Sequence, residues 1–326
     1  MELGENNHQP IAARDVVYSV VTSVYRDGHL AHAFCAAVND TFRKYLRTHS
    51  ITPTVEIILV NDGSPDDSLR HLLAVKNAFD FVKIVDLSRN YGQHSALASG
   101  FILAKGKFVI RLNIDMQDHP DELPKLLKEM ETGRYDLVVG QYRKRKSPIL
   151  TSITANLYFR LFKFLAGLDV QQRTSPMRVM NRVFIDALNN LTEKSRFPQG
   201  LDQWLGFRHK YVEIEHQERA HGKSSYNVFS RLSLASSGIL YFSDRPLKLI
   251  GYFGLCMALL GFLLGLTIFA QKIFGNGLLP GYASIVCIAL MAFGIQIGSV
   301  GILGLYVGRI FREVQNRPLF IVREIY

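Results

Sequence analysis

The chain has 326 residues, 48% of them hydrophobic, and its 38 Lys and Arg residues outnumber its 28 Asp and Glu residues, which gives a formal net charge of +10. Such a chain is too apolar for an intrinsically disordered protein, and with three cysteines it is too poor in Cys for a disulfide scaffold. Cys256 and Cys287 lie in apolar runs and Cys35 stands alone, so the sequence supports neither a zinc cluster nor a redox pair.

Residues 1–140 alternate between strand-like and helix-like segments. This alternation predicts an α/β fold with a mostly parallel sheet covered by helices. Ligands of such sheets bind beyond the carboxyl ends of the strands, so the loops after Val21, Val60 and Leu112 are the expected binding loops. The predicted strands are Val16–Val21, Val55–Val60, Val82–Leu87, Phe108–Leu112 and Asp136–Gly140, and the predicted helices are Leu30–Leu46, Leu69–Ala78, Ser95–Ala104 and Pro120–Glu131.

The loop after the second predicted strand runs from Asn61 to Asp67. A helix start explains most of it, because Ser64 can cap a helix whose first turn contains Pro65 and Asp67. A helix start does not explain Asp62, which puts a carboxylate at the carboxyl end of a central strand. The motif by itself therefore fits a turn and a binding site equally well.

The loop after the fourth predicted strand brings Asp115, Gln117 and Asp118 close together. Their oxygen atoms are the ligands that Mg²⁺ and Mn²⁺ prefer. A helix start is the alternative and accounts for Asp118 as a capping residue, but Asp115 and Gln117 precede that cap. Because Asp62 is expected at the same edge of the sheet, we interpret Asp115 and Gln117 as ligands of a divalent metal ion.

Three further segments carry polar side chains. In residues 88–94, Gly92 permits a tight turn, and His94 is interpreted as a polar group at a helix start rather than a catalyst. Residues 219–226 combine cations, a glycine and hydroxyls, which suits equally a loop that closes over phosphates and a solvated loop. Residues 143–146 form a basic cluster, which is either a solvated face or a site that attracts a phosphate headgroup at a membrane.

Two long uncharged runs lie near the C-terminus, between Lys248 and Lys272 and between Lys272 and Arg309. About 20 apolar residues cross a bilayer core, so we predict two transmembrane helices within residues 247–308, preceded by an amphipathic juxtamembrane segment at residues 227–246. The flanking basic residues predict that both ends and the N-terminal domain are cytoplasmic. The polar N-terminal residues 1–15 predict no secretory signal. We find no nucleic-acid-binding motif, and we therefore expect part of the net positive charge to interact with anionic lipid.

Taken in order, these motifs resemble the polyprenyl-phosphate glycosyltransferases of glycosyltransferase family 2, which have the GT-A fold and include dolichyl-phosphate mannose synthase and the bactoprenol glucosyltransferases. The resemblance covers nearly the whole chain. Its markers are Val60–Ser64, Leu87–Gly92, Asp115–Asp118, Arg178–Arg182, Arg196-Phe197, Gly200-Leu201, Trp204, Arg219, Gly222, Ser224, Tyr226, Pro246-Leu247, Gly308–Ile310 and Asn316–Pro318.

The resemblance implies a GT-A (Rossmann-like) domain at residues 1–226 and a cytoplasmic tail at residues 309–326, in the cytoplasmic membrane of a bacterium. It implies inverting transfer of a sugar from a nucleotide-sugar, with UDP the expected nucleotide, to undecaprenyl phosphate, with Mg²⁺ or Mn²⁺ as cofactor and a homotetramer as the suggested assembly. The implied residues are Tyr25, Asp27, Asp62, Ser64, Asn113 and Ile114 for the nucleotide, Asp115 and Gln117 for the metal, Asp115, Arg219 and Asp202 for catalysis, and Arg145, Lys146, Ser152 and Arg178 for the acceptor phosphate.

The acceptor phosphate is already anionic near pH 7, because the second pKa of a phosphomonoester is about 6. Positioning and charge neutralisation therefore matter more than a strong base. Asp202 could serve as a base, but the sequence favours the interpretation of this residue as a carboxylate on a helix surface.

Four departures from the family pattern touch the donor side. The loop with the predicted metal ligands Asp115 and Gln117 begins with Asn113, where the family has Asp. In residues 219–226, the segment expected to close over phosphates, Ser225 stands where the family usually has Lys. Tyr142 stands where the family tends to place Arg, and residues 23–27 differ from the usual Pro-x-Tyr-Asn-Glu. Two hypotheses follow, an active enzyme with an unusual donor and a catalytically impaired scaffold. A processive polysaccharide synthase fits less well, because Gln203-Trp204 lacks the spacing of a Gln-x-x-Arg-Trp motif.

Overall fold

The structure is a computed structural model that describes residues 16–46, 54–143, 173–193, 198–215, 243–273 and 281–326, and the short pieces 160, 163–165, 167 and 171. The chain divides into two compact units. The first unit comprises Met1–Pro148, Val170–Ser224 and Pro318–Tyr326, and the second comprises Ile149–Asp169 and Ser225–Arg317.

Strands and helices alternate through the first unit as the sequence predicts, and each predicted element is present with its ends shifted by at most three residues. The strands are β1 Val16–Val24, β2 Thr54–Asn61, β3 Val82–Leu87, β4 Phe108–Arg111, β5 Leu137–Tyr142, β6 Thr174–Asn181, β7 His209–Ile214 and β8 Val322–Ile325. The helices are α1 Ala31–Leu46, α2 Ser68–Ala78, α3 Gln93–Leu103, α4 Leu123–Glu131, α5 Arg182–Asn189 and α6 Pro198–Trp204, with single 3₁₀ turns at Gly28–Leu30 and Pro120–Glu122.

The strands form one sheet in the order β7-β5-β6-β4-β1-β2-β3-β8. Strands β4, β1, β2 and β3 are mutually parallel, whereas β6 and β8 run antiparallel to their neighbours. The chain order reverses at β1, which pairs with β2 on one side and β4 on the other. A reversal of this kind opens a crevice at the carboxyl ends of the strands, which is where α/β sheets bind ligands.

The sheet is held between helices because its central strands are apolar on both faces. Val20, Ile57 and Ile110 join one core with α1, α2 and α4, and all three side chains are fully buried. Helix α3 covers the other face closely, because a Cβ atom at Gly100 would lie 2.4 Å from Cγ1 of Val21. The small residues of α3 therefore allow the helix to lie close against the strands that carry the binding loops.

The C-terminal strand β8 is a feature that the sequence did not predict. It pairs antiparallel with β3, and Ile84 and Tyr326 exchange both of their backbone hydrogen bonds. The guanidinium of Arg323 lies 3.3 Å from Oδ2 of buried Asp86, whose Oδ1 accepts a 2.7 Å hydrogen bond from Nδ2 of Asn61. The end of the chain thus contacts β3, the strand that leads into residues 88–92.

We expect Arg323→Ala to destabilise the first unit by roughly 1–2 kcal/mol, because Asp86 would lose a charge-assisted partner while Asn61 would remain bonded. Urea unfolding followed by circular dichroism measures the change. Arg70→Ala, which removes an exposed arginine of α2, is the control and should change stability by much less. Equal losses in the two variants would show that the Arg323–Asp86 contact does not stabilise the sheet edge.

The second unit contains two long helices, α7 Arg245–Ile273 and α8 Tyr282–Val314. By length and composition each could cross a bilayer, with apolar windows at Arg245–Leu263 and Ala292–Val314 of mean hydropathy 1.7 and 1.4. These helices contain most of the two uncharged runs of the sequence, and the second continues past the predicted end at residue 308 to Val314. Of the predicted juxtamembrane segment, residues 227–242 lie outside the described part of the chain.

Candidate functional site

A cavity of about 260 Å³ opens at the carboxyl ends of β1, β2 and β4. It lies where the sequence analysis expected the binding loops to meet. Its wall is polar, with carboxylates, amides and a tyrosine available to a ligand. The lining residues are Ser23, Tyr25, Asp27, Asp62, Asn90, Gly92, Gln93, Asn113, Ile114 and Asp115.

Asp62 lies directly after β2 and is 2% exposed, yet it reaches the cavity wall. Its two carboxylate oxygens accept hydrogen bonds from the backbone N–H groups of Tyr91 at 2.7 Å and Gly92 at 3.0 Å. Burial raises the pKa of this carboxyl, and the two backbone hydrogen bonds partly oppose that rise. The carboxylate therefore fixes the loop before α3 against the loop after β2, in addition to facing the cavity.

Gly63 and Ser64 bring the loop after β2 into contact with its two neighbouring loops. Gly63 has a φ of +59°, and a Cβ atom there would lie 2.2 Å from the backbone carbonyl carbon of Arg89, so only glycine fits. Ser64 Oγ accepts a 3.2 Å hydrogen bond from the backbone N–H of Arg26, which links the loops after β2 and β1. Ser64 is not among the residues that line the cavity, so its structural contact is to the neighbouring loop.

Tyr25 and Asp27 come from the loop after β1 and stand at the cavity on either side of Arg26. Arg26 has a φ of +64°, an uncommon conformation for a residue with a side chain. Tyr25 is 40% exposed, so its ring is accessible to a ligand in the cavity. The exposed ring and the carboxylate offer stacking and hydrogen-bonding contacts, respectively.

The loop after β4 carries Asn113, Ile114, Asp115 and Gln117. Nε2 of Gln93 donates a 3.2 Å hydrogen bond to Oδ1 of Asn113, so the amide that replaces the family's carboxylate binds the N-terminal end of α3. Asp115 is exposed at the cavity, and the backbone N–H of Gln117 is 3.4 Å from its Oδ1. Gln117 follows on the same loop but is not a lining residue.

These residues fit a hard divalent cation of the Mg²⁺ type. Asp115 supplies an accessible carboxylate and Gln117 an amide oxygen, and such ions are commonly held by one or two carboxylates, with water and substrate phosphates completing the shell. Within the described ranges no group of three or more His, Cys, Asp or Glu residues could hold a metal by itself. Substrate phosphates would therefore have to supply much of the coordination.

Asp118 is buried behind this loop. Its Oδ2 accepts hydrogen bonds from the hydroxyl groups of Ser175 and, at 3.2 Å, Tyr142. Burial raises the pKa of Tyr142, and the neighbouring Asp118 carboxylate raises it further. The tyrosine at the position where the family tends to have Arg therefore tethers the end of the loop after β4 to β5.

Asp202 and Arg178 meet in a second, smaller pocket beside the cavity. Nη1 of Arg178 donates a 2.7 Å hydrogen bond to Oδ2 of Asp202, whose side chain is 13% exposed. Burial raises the pKa of Asp202, and the two nearby arginines oppose that rise. The favoured interpretation of Asp202 as a carboxylate on a helix surface is therefore wrong, because the side chain is mostly buried against Arg178.

Arg111 is not among the site residues predicted from the sequence, and the sequence predicts His94 only as a polar group at a helix start. Both line the second pocket with Arg178, and burial lowers the pKa of His94 to about 4, aided by the two arginines. The feature of the sequence that could have indicated this pocket is Arg111 itself, a cation at the end of the otherwise apolar strand β4. Strands buried on both faces normally read as continuous apolar runs, so this residue is out of pattern.

Four of the predicted site residues lie outside the described part of the chain. They are Arg145, Lys146, Ser152 and Arg219.

Comparison with known proteins gives the same family over most of the chain. The Glycosyl transferase family 2 domain matches residues 19–188. A protein of Bacillus subtilis described as the uncharacterized glycosyltransferase YkcC is 32% identical over 316 residues, which are 96% of this chain and 95% of that protein.

Two similar relatives have more specific names. The prophage-derived bactoprenol glucosyl transferase of Shigella flexneri is 33% identical over 83% of this chain and 87% of its own length. The undecaprenyl-phosphate 4-deoxy-4-formamido-L-arabinose transferase of Klebsiella pneumoniae is 33% identical over 83% of each chain. The family match and these relatives show that the chain belongs to glycosyl transferase family 2 and is a sugar-transferring enzyme, which agrees with its GT-A-type sheet and the cavity at the carboxyl ends of the parallel strands.

Proposed function

We propose that this glycosyltransferase moves one sugar from a nucleotide-sugar to a polyprenyl phosphate. The observation that carries the proposal is the cavity at the carboxyl ends of β1, β2 and β4, whose wall includes Tyr25, Asp27 and Asp115. Relatives named for bactoprenol and undecaprenyl phosphate, each about one-third identical over most of both chains, support the lipid acceptor.

On the donor side, Tyr25 and Asp27 would contact the nucleoside, with UDP as the proposed nucleotide. Asp62 would act from behind, because its carboxylate is bonded to the backbone of Tyr91 and Gly92 and so holds the cavity wall in shape. Asn113 and Ile114 would border the diphosphate. The side chain of Asn113 accepts a hydrogen bond from Gln93. Because this amide is neutral, the cavity carries less negative charge than the cavity of a family member with Asp at this position.

Asp115 and Gln117 would hold a Mg²⁺ or Mn²⁺ ion against the diphosphate. When bound, such an ion neutralises the charge that builds up on the departing nucleoside diphosphate. The chain's own contribution is to fix the loop, because Asp118 ties it to Ser175 and Tyr142. Arg219 is proposed to brace the same phosphates.

On the acceptor side, a phosphate oxygen of the lipid attacks the anomeric carbon, a new carbon–oxygen bond forms, and the bond to the nucleoside diphosphate breaks with inversion. This oxygen is already ionised near pH 7, so positioning dominates. Arg178 is proposed to hold the phosphate with Arg145, Lys146 and Ser152. Asp202 is bonded to Arg178 and so would orient this cation, with a role as general base as the second possibility.

The two apolar helices α7 and α8 support a membrane location, because an isoprenoid tail remains in the bilayer. We propose that both helices span the cytoplasmic membrane and that the catalytic unit faces the cytoplasm. A homotetramer is the proposed assembly. Crosslinking in native membranes tests the assembly, and cysteine labelling from each side of the membrane tests the topology.

The deciding experiment for function is transfer by the purified full-length chain. It would be incubated with undecaprenyl phosphate, Mn²⁺ and a panel of labelled nucleotide-sugars, and lipid-linked sugar would be separated by thin-layer chromatography. We expect label in the lipid fraction for a UDP-sugar. Binding of a nucleotide-sugar without transfer from any donor would favour the second function, a scaffold that binds pathway components, for which Asn113 and Ser225 are the motivating departures.

A further inference from the structure

The second pocket contains two buried arginines that face each other across neighbouring strands. Arg111 and Arg178 are direct partners in the antiparallel pairing of β4 and β6, and they are 6% and 5% exposed. Like charges at directly opposed positions of a sheet destabilise the pairing. The fold therefore accepts an electrostatic cost at this place, at the edge of the donor cavity.

The pocket contains too little negative charge to balance these cations. Asp202 is its only acidic lining residue among the residues described, and that carboxylate is bonded to Arg178. No salt bridge joins Arg111 to a carboxylate in the part of the chain that the structure describes, and within the same part Nε of Arg111 and Nε of Arg178 have no hydrogen-bond partner. Asp118 attracts Arg111 at longer range and offsets part of its charge, but burial and Arg178 outweigh the two carboxylates, and the pKa of Arg111 is lowered.

An uncompensated buried charge is unfavourable unless a ligand pairs with it. His94 supplies no negative charge, and with a pKa lowered to about 4 it is neutral at pH 7 and adds no third positive charge to the pocket. The pocket has a volume of about 40 Å³, whereas one water needs roughly 10–15 Å³. It accommodates a group of a few atoms, such as a carboxylate or the end of a phosphate, and not a nucleotide.

The pocket is adjacent to the donor cavity. Gln93 and Asn113 line the cavity, whereas His94 and Arg111, which are one and two residues away from them in the sequence, line the pocket. The remaining walls are apolar side chains of α3, β6, α5 and α6. Low polarity around a guanidinium strengthens its attraction to an anion.

We propose that Arg111, together with Arg178, forms an oxyanion site that takes a carboxylate or phosphate group of one of the two reactants. This inference rests on the proposed function, because it assigns the pocket to that reaction. The two sources of the oxyanion are an acidic group on the donor sugar, as in a nucleotide-linked uronic acid, and the phosphate of the lipid acceptor. The guanidinium groups bind the group and orient it, and no covalent step occurs on them.

The first test measures anion binding by the full-length chain in detergent, without donor, acceptor or metal. Inorganic phosphate and glucuronate would be titrated at constant ionic strength, with the fluorescence of Trp204 as the signal, since it is the only tryptophan and lies on α6 close to Asp202. We expect Arg111→Met to weaken binding of at least one probe by roughly tenfold to hundredfold. Arg134→Met, which removes an exposed arginine, is the matched control and should bind as the native chain does.

Thermal unfolding separates a binding role from a structural role. If the pocket is an anion site, the bound probe raises the unfolding temperature of the native chain but not of Arg111→Met. Without probe, Arg111→Met should unfold at the same temperature as the native chain or higher, because it removes an unpaired buried charge. A native chain that no anion stabilises, together with a destabilised Arg111→Met, would show a structural ion cluster and overturn the proposal.

The second test identifies the reactant by steady-state transfer assays. If the donor sugar supplies the anion, Arg111→Met lowers kcat/KM for the nucleotide-uronate and leaves the corresponding nucleotide-glucose unchanged. If the acceptor supplies it, the variant raises KM for undecaprenyl phosphate with every donor. Lost anion binding with both kinetic comparisons unchanged would show an adventitious ion only and would overturn the assignment to a reactant. Because the binding test needs no turnover, its result stands even if the proposed transfer is not observed.

Discussion

Replacing Asp115 with alanine should lower the rate of sugar transfer by at least about 100-fold, while the chain remains folded. Asp115 is an exposed carboxylate at the cavity, on the loop after β4, and it is the proposed metal ligand with a full charge. Its removal would leave Gln117 as the other predicted ligand, and a neutral amide neutralises less of the diphosphate charge. Initial rates at saturating donor and acceptor, over a range of Mn²⁺ concentrations, measure the effect.

Asp80→Ala is the control for this change, because it removes an exposed carboxylate between α2 and β3. It should transfer sugar at the native rate. Asn113→Asp should be tolerated or should alter the preferred donor, since an aspartate there can still accept the hydrogen bond from Gln93. Full activity in Asp115→Ala would remove the basis for the metal assignment.

The second large effect is expected on stability, from Gly63→Ala. Gly63 has a φ of +59°. A Cβ atom at this position would lie only 2.2–2.5 Å from backbone atoms of Arg89 and Asn90, so the glycine is what allows this close approach. The alanine variant combines left-handed strain with a backbone clash, so we expect a loss of roughly 2–5 kcal/mol in the free energy of unfolding. Chemical denaturation followed by circular dichroism gives this value.

Gly133→Ala is a matched control for backbone strain alone. Gly133 has a similar φ of +69°, but no atom lies within 4 Å of a Cβ placed there. It should lose only about 1–2 kcal/mol, which is the cost of the left-handed conformation. If Gly63→Ala and Gly133→Ala lost the same amount, the close approach of the two binding loops would not contribute to stability.

These two variants affect the site in different ways. Asp115 acts on the reactants directly, whereas Gly63 allows Asp62 to reach the backbone of Tyr91 and Gly92. Gly63→Ala should therefore weaken nucleotide-sugar binding as well as stability. Asp115→Ala should leave the free energy of unfolding nearly unchanged, because an exposed carboxylate contributes little to it.

Two of the residues that depart from the family pattern, Asn113 and Tyr142, have structural roles in the site. Asn113 binds Gln93, and Tyr142 binds Asp118, so both substitutes are engaged in local hydrogen bonds. A site whose atypical residues are bonded into the loops is consistent with a changed donor preference. The buried pair of Arg111 and Arg178 indicates one chemical form that such a preference could take.

The sequence by itself determined the α/β order of residues 16–142, the position of the three loops after β1, β2 and β4, and the two apolar helices. Local signals carry this information, because β-branched runs, helical periodicity and turn residues act over a few neighbours. The placement of Asp62 and Asp115 at one edge then follows from parallel strands, whose carboxyl ends lie together. The uneven distribution of charge along the chain likewise predicted the location of the two long apolar helices, although the second continues to Val314, past the predicted end at residue 308.

Only the tertiary structure decided the partners of these residues. The pairing of β8 with β3, the burial of Asp202 against Arg178, and the facing arginines of β4 and β6 join segments far apart in the chain. Such contacts depend on the sheet order, which a single sequence leaves open because non-local strand pairing has no local signature. Two of the chain's cations, Arg111 and Arg178, thus form one buried pair, whose electrostatic cost is visible only once both strands lie side by side.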